Sequence, residues 1–531
     1  MNRRRRGSRS TGRRTIPSPL LFAAATLALS SADEAVARGS GGPKAVRTSS
    51  GLVAGVTRDT GQAFLGIPFA APPVEPLRWR SPQSPASWRG VRKADSFGPP
   101  CAQVPSNGRT AVSSISREDC LYLNIWTPGS RGPGPAPVMV WIHGGGFQNG
   151  MGTSPTYDGA ALAARGVVVV TINYRLGVFG FLAHPALTAQ SPIHASGNYG
   201  LEDQIAALRW VARNIRAFGG DPANVTLFGQ SAGGASVVDL VSSPAAQGLF
   251  HRAIIQSGAA RDAISAMPKA VAEQQGVTFA GKTSLTALRA IDMSSLLQRA
   301  DEARLRFGPV ADGVIVANGR DDGVQHGRAT VTAILVGSNS REGLGSVSSD
   351  GLAAAIRAAY GVNAGKALAL YGGANGGEPA RDRLLGTPGE QFVTDTSFRC
   401  GSVDYAARAA RSGRQVWQYQ FEQFVPGREM QGAAHSFEVP YVFGNLSSTG
   451  FAAADYGPAD RSLSEVMIGY WTNFAKNGDP NGPGLPNWPR YNVATKAYVR
   501  LSSELNGGAA ADSDLRGAFC ALLPNSTHVQ E

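Results

Sequence analysis

Val225-Thr226-Leu227-Phe228-Gly229-Gln230-Ser231-Ala232-Gly233-Gly234 carries a short apolar run into a cluster of small residues. VTLF is the length and composition of a buried strand, and the small residues at 232–236 open a helix after it. The serine between them therefore stands on a sharp strand-to-helix turn, and Gly229-Gln230-Ser231-Ala232-Gly233 matches G-x-S-x-G in the context a nucleophile elbow requires. Small neighbours let the backbone fold that tightly, and the helix start offers free N–H groups to a developing negative charge. Outward from this turn the same alternation repeats. Val138–Ile142, Val167–Ile172, Ala253–Ile255 and Ala333–Val336 are apolar on both faces, as strands buried inside a parallel sheet are. Glu202–Phe218 places Ile205, Leu208, Trp210, Val211 and Ile215 at three- and four-residue steps, which predicts a helix. Strands alternating with helices predict an α/β fold, a large and mostly parallel sheet covered on both faces. Residues 260–330 and 345–395 are richer in helix formers and read as helical insertions over the sheet edge.

A second glycine cluster, His143-Gly144-Gly145-Gly146-Phe147, follows the strand Val138–Ile142 directly. Glycines let backbone amides turn toward a substrate oxygen without a Cβ in the way. That is how an HGGG loop stabilises a tetrahedral intermediate in ester hydrolysis. A phosphate cradle is the competing reading, but no Lys-Ser/Thr follows. His143 reads as structural. A serine nucleophile needs a base, and the base an orienting acid, in the chain order Ser, Asp/Glu, His. His251, His326, His435 and His528 follow Ser231. Of these His435 sits in a small-residue stretch suited to an active-site loop. Glu342 lies just past the strand Ala333–Val336, at the carboxyl end where parallel sheets place function. Chain order alone leaves the choice among several acids and histidines open.

The net charge of +12 suggests nucleic acid only if it is clustered on a folded face. It is not. Arg3, Arg4, Arg5, Arg6, Arg9, Arg13 and Arg14 precede a short apolar run, Leu20–Leu29, and then Ala35-Val36-Ala37. This is the pattern of a secretory signal peptide over 1–37, cut after Ala37. Arg13-Arg14 also resembles a twin-arginine signal, with Gly12 where Ser or Thr is usual. Without the leader, 43 basic and 36 acidic side chains remain, a net +7 that gives no reason to expect nucleic acid. At 43% hydrophobic and 17% charged the rest can bury a large core, so residues 38–531 read as one folded domain. No later apolar run reaches the roughly 20 residues of a membrane span. The four cysteines, Cys101, Cys120, Cys400 and Cys520, lack zinc spacing, and an even number in an exported chain predicts two disulfides. Three pairings are open, and neighbour with neighbour is the simplest.

The chain resembles the carboxylesterase type-B family of α/β-hydrolases from about Val46 to Cys520. The resemblance is carried by FLGIPFA (64–70), EDCLYLNIWTP (118–128), WIHGGGF (141–147), INYRLGVFGFL (172–182), GNYGLEDQ (197–204), FGGDPANVTLFGQSAGG (218–234), FGPVADG (307–313) and HSFEVPYVFG (435–444). It implies an α/β-hydrolase fold and serine ester hydrolysis through an acyl-enzyme. Ser231 is the implied nucleophile, Glu342 the acid and His435 the base, with the amides of Gly145, Gly146 and Ala232 as oxyanion donors. It further implies the pairs Cys101–Cys120 and Cys400–Cys520, and a structural Arg78–Glu118 salt bridge. A small-molecule ester is the expected partner, with no metal or organic cofactor. Oligomeric state is left open, as is the choice among carboxylesterase, lipase, and amidase or carbamate hydrolase. A non-catalytic binding relative is disfavoured, because all three triad positions are filled.

Two departures qualify the resemblance. Most relatives carry Glu where this chain has Gln230, within a buried network that includes the positions of Ser257 and Glu438. A neutral Gln230 is expected to donate to Glu438, avoiding two close carboxylates. The stretch between Cys101 and Cys120 contains no Trp to hold a quaternary ammonium, which argues against choline esters.

Overall fold

The apolar runs assemble into one sheet in the computed structural model, which describes residues 45–104, 115–130, 132–260, 264–317, 330–343, 345–372, 381–448 and 456–524. The leader read over residues 1–37 lies outside the described residues. Among them, the sheet has eleven strands. In chain order these are Val56–Arg58 (β1), Gly61–Pro68 (β2), Tyr122–Pro128 (β3), Ala136–Ile142 (β4), Val168–Ile172 (β5), Gly220–Gln230 (β6), Arg252–Gln256 (β7), Ala333–Asn339 (β8), Gln415–Phe421 (β9), Ala497–Leu501 (β10) and Ala509–Ser513 (β11). Their spatial order is β11-β10-β9-β8-β7-β6-β4-β5-β3-β2-β1. Pairing is parallel without interruption from β10 to β5, and antiparallel at both margins. The mostly parallel sheet expected from the sequence is present.

Alternation along each strand sorts the core onto two faces. Val138, Val140, Ile142, Val170, Leu227, Ile255 and Val336 face one cluster. The helices Tyr199–Asn214, Ala232–Ser242 and Cys400–Arg411 cover that face with Leu208, Val237 and Tyr405. Met139, Trp141, Val169, Phe228, Ile254 and Leu335 face the other side, against Met467, Trp471 and Phe474 of the helix Pro458–Asn477. With both faces covered, catalytic groups have one place to gather, the loops beyond the strands' carboxyl ends.

The insertions are helical as expected. Lys269–Ala280, Leu285–Ala290 and Met293–Ala303 form the first, and Ser349–Tyr360, Ala364–Leu370 and Pro388–Thr394 the second. Cys101 is bonded to Cys120, and Cys400 to Cys520. Arg78 donates to both carboxylate oxygens of Glu118 and to the carbonyls of Leu288, Arg289 and Ile291, so it also ties the first disulfide loop to the first insertion.

Candidate active site

Strand β6 delivers Ser231 onto the turn. Its φ of 57° and ψ of −126° are a conformation that L-residues avoid, costing on the order of 1–3 kcal/mol. Surrounding contacts impose it. A Cβ at Gly233 would lie 2.0 Å from the Ile142 carbonyl oxygen, and one at Gly229 would meet the Gly233 backbone at 2.6 Å. Ser231 N–H donates to Gln256 O at 2.9 Å, locking the turn to the end of β7. The Ala232 N–H opens the helix Ala232–Ser242, where no helix carbonyl can take it. Across the turn lies the glycine loop. A Cβ on Gly144 would stand 3.0 Å from Ser231 Cβ. Gly145, Gly146 and Phe147 all have positive φ, at 112°, 62° and 63°. Among the described residues no hydrogen-bond acceptor meets the N–H of Gly145 or Gly146.

Glu342 and His435 come from loops that follow β8 and β9. Two main-chain links, Arg341 N to Ala433 O and His435 N to Glu342 O, zip these loops together, and the Asn339 side-chain amide adds a third by donating from Nδ2 to Ala434 O. The side chains then meet, with His435 Nδ1 2.6 Å from Glu342 Oε2. The other carboxylate oxygen accepts from Ser257 Oγ and from the Asn339 N–H, each at 2.8 Å. Thr394 Oγ1 accepts from the Glu342 N–H at 3.1 Å. Phe398 packs at 4.9 Å from the His435 ring. With a carboxylate against Nδ1, that nitrogen carries the proton and Nε2 keeps its lone pair. Burial disfavours a charged His435. The hydrogen bond and charge of Glu342, with the charge of Glu438 behind them, outweigh burial and raise its pKa above the ordinary histidine value.

The expected Gln230–Glu438 hydrogen bond is not the one the structure contains. Gln230 Nε2 instead lies 3.2 Å from His435 Nε2. Glu438 is satisfied by Gln256 Nε2 at 3.1 Å and Asn339 Nδ2 at 2.8 Å. Gln230 ends its strand directly beside the base, and the closer amides fill the carboxylate's acceptor positions. Glu438 is fully buried. Burial and then the charge of Glu342 raise its pKa, while the Asn339 hydrogen bond and His435 pull the other way. Gln256, Asn339 and Thr394 are the site residues that motif reading missed. A signal existed: Gln256 ends β7, which pairs with β6, and Asn339 ends β8, which pairs with β7, and a polar side chain at the end of a buried strand needs a polar partner.

Residues 42–362 and 384–522 match the carboxylesterase family. The chain belongs to the carboxylesterase family. It is 38% identical over 477 residues to the fumonisin B1 esterase of Sphingopyxis macrogoltabida, covering 85% of each chain. It is 36% identical over 483 residues to the para-nitrobenzyl esterase of Bacillus subtilis, covering 87% of this chain and 95% of that one. A solved para-nitrobenzyl esterase structure superposes with a TM-score of 0.78 at 35% identity, over 91% of this chain and 99% of the other. The carboxylesterase of Geobacillus stearothermophilus gives the same TM-score, 0.78, at 34% identity, over 90% of this chain and 100% of that one. The architecture is therefore the α/β-hydrolase fold, and this carboxylesterase is a carboxylic ester hydrolase. Among its described residues no helix is long and apolar enough to cross a membrane.

Proposed function

We propose that this carboxylesterase works through Ser231, His435 and Glu342, by way of an acyl-enzyme. The observation that carries the reading is the 2.6 Å contact of His435 Nδ1 with Glu342 Oε2, on a histidine whose Nε2 is touched by the residue preceding Ser231. His435 Nε2 takes the Ser231 proton as Oγ attacks the ester carbonyl. The amides of Gly145, Gly146 and Ala232 receive the oxyanion. His435 then returns the proton to the leaving alcohol, and a water repeats the sequence on the acyl-enzyme. Glu342 holds the ring in the Nδ1–H tautomer and stabilises it when charged. The substrates are uncharged aryl and alkyl esters, a class supported by the likeness to an enzyme named for p-nitrobenzyl esters. Ser231→Ala is expected to reduce p-nitrophenyl acetate hydrolysis to the uncatalysed rate while the protein stays folded. Retained turnover would overturn the assignment. A chain-length series from acetate to palmitate separates carboxylesterase from lipase: rates fall with length for the former and rise above the solubility limit for the latter. The reading includes export, with residues 1–37 as a cleaved leader and the two disulfides suited to an oxidising compartment.

A further inference from the structure

The glycine loop is gripped from its carbonyl side. In a planar trans peptide the C=O and the following N–H point in opposite directions, so whatever holds the carbonyl aims the amide. Gly145 O accepts the N–H groups of Gln148 and Asn149 at 3.0 and 3.1 Å, which turns the Gly146 N–H the other way. The preceding peptide is held differently. Among the described residues, the partner of Gly144 O is a side chain, His143 Nδ1 at 2.8 Å.

That imidazole sits in a built seat. It is 1% exposed and stacks on Tyr174 with ring centroids 4.4 Å apart. The Tyr174 hydroxyl donates to His143 O at 2.9 Å. Gly150, at φ +118°, approaches so closely that a Cβ there would lie 2.4 Å from Nδ1. Gly150 is pinned in turn by both ends of the Gln103 amide, its N–H donating to Oε1 and its carbonyl accepting from Nε2, each at 2.8 Å. The second ring nitrogen, Nε2, is buried, and no polar group among the described residues reaches it. Burial lowers the His143 pKa to about 4 against the Gly144 hydrogen bond, so the ring is neutral at ordinary assay pH. A purely apolar filler would bring no such polar nitrogen into the interior. What the imidazole adds over such a filler is the Nδ1–H.

We propose that His143 is a positioning residue for ester hydrolysis, its Nδ1–H holding the Gly144 carbonyl so that the Gly145 N–H faces the developing oxyanion. The inference rests on the reading of Gly145 as an oxyanion donor. It makes His143 matter in the transition state and not in ground-state binding.

Three replacements separate the roles. His143→Leu keeps bulk without a donor. His143→Asn places an amide N–H near the Nδ1 position, whereas His143→Gln carries it toward Nε2. The full-length enzyme and each variant are assayed for kcat and KM on p-nitrophenyl acetate. Two affinities are added: for an aryl trifluoromethyl ketone, to which Ser231 adds to give a tetrahedral oxyanion, and for the corresponding alcohol, which forms none. His143→Leu and His143→Gln are expected to lower kcat roughly 10- to 100-fold and to weaken the ketone to a similar degree, with KM and alcohol affinity unchanged. His143→Asn is expected to recover most of both losses. The proposal is overturned if Asn performs no better than Gln, or if kcat and alcohol affinity fall together. Should His143→Leu not fold, the Asn-against-Gln comparison decides. Ser231→Ala keeps the two levels apart. If it still hydrolyses ester, or binds the ketone as tightly as wild type, the active-site reading has failed. If it is inactive while all His143 variants behave as wild type, only the His143 proposal has failed.

Discussion

Replacing Gln230 by Glu puts a carboxylate where a neutral amide now lies 3.2 Å from His435 Nε2. Two unit charges about 4 Å apart attract by roughly 4 kcal/mol at an effective dielectric of about 20. Burying the new carboxylate takes back part of that. A net stabilisation of the imidazolium of about 1.4–2.8 kcal/mol remains, which is about one to two pKa units. The direction adds to the one already present, because Glu342 and Glu438 raise the His435 pKa against burial. The base acts only when neutral, so the acid limb of kcat/KM should move up by one to two units. At neutral pH the variant loses on the order of tenfold or more, and it regains activity as pH approaches 9. The assay is kcat/KM for p-nitrophenyl acetate from pH 5 to pH 9.5, corrected for spontaneous hydrolysis, with folding checked at each end. An acid limb that stays in place, or moves down, would refute the contact between Gln230 and the base as an electrostatic lever.

Glu438→Gln should move the same limb in the opposite direction, because it removes one of the charges that raise the His435 pKa. The shift should be smaller than that of Gln230→Glu, since Glu438 already meets Gln256 and Asn339; an upward shift would contradict the assignment of causes. N-terminal sequencing of protein recovered from the culture medium should begin at Arg38, and a product retaining Met1 would reject the leader.

Much of the sheet could be read because its strands are buried on both faces and apolar throughout. The edges of elements were harder, for local reasons. β6 was visible as VTLF yet begins at Gly220, five residues earlier, through a segment of turn-forming residues that pairs with β4 across a register shift. The helix read over 202–218 starts at Tyr199 and gives way at Ile215 to a 3₁₀ turn that Gly219 closes at φ 85°. Asn198 precedes it but does not cap it. Its amide instead bonds Val310 and Asp312, a tertiary use no local pattern announces.

Ser231 was legible from its motif, whereas the acid and base needed a resemblance to choose them. The reason is distance along the chain: nothing local in Ser-Arg-Glu-Gly or Ala-Ala-His-Ser declares that two loops 93 residues apart are zipped together. The misjudged partner of Gln230 has the same origin. Gln230, Gln256 and Asn339 end three adjacent parallel strands, with Gln230 opposite Gln256 in register. Their amides divide the site between them. Gln256 and Asn339 donate to Glu438, and Gln230 is left facing His435. This division keeps a third acid away from Glu342 and Glu438, which already raise the base's pKa. A carboxylate at position 230 would add to that field on the nitrogen that must accept the Ser231 proton. Neutrality at this position therefore favours an unprotonated base, and a family member carrying an acid there needs a compensating partner for it that Gln230 does not require.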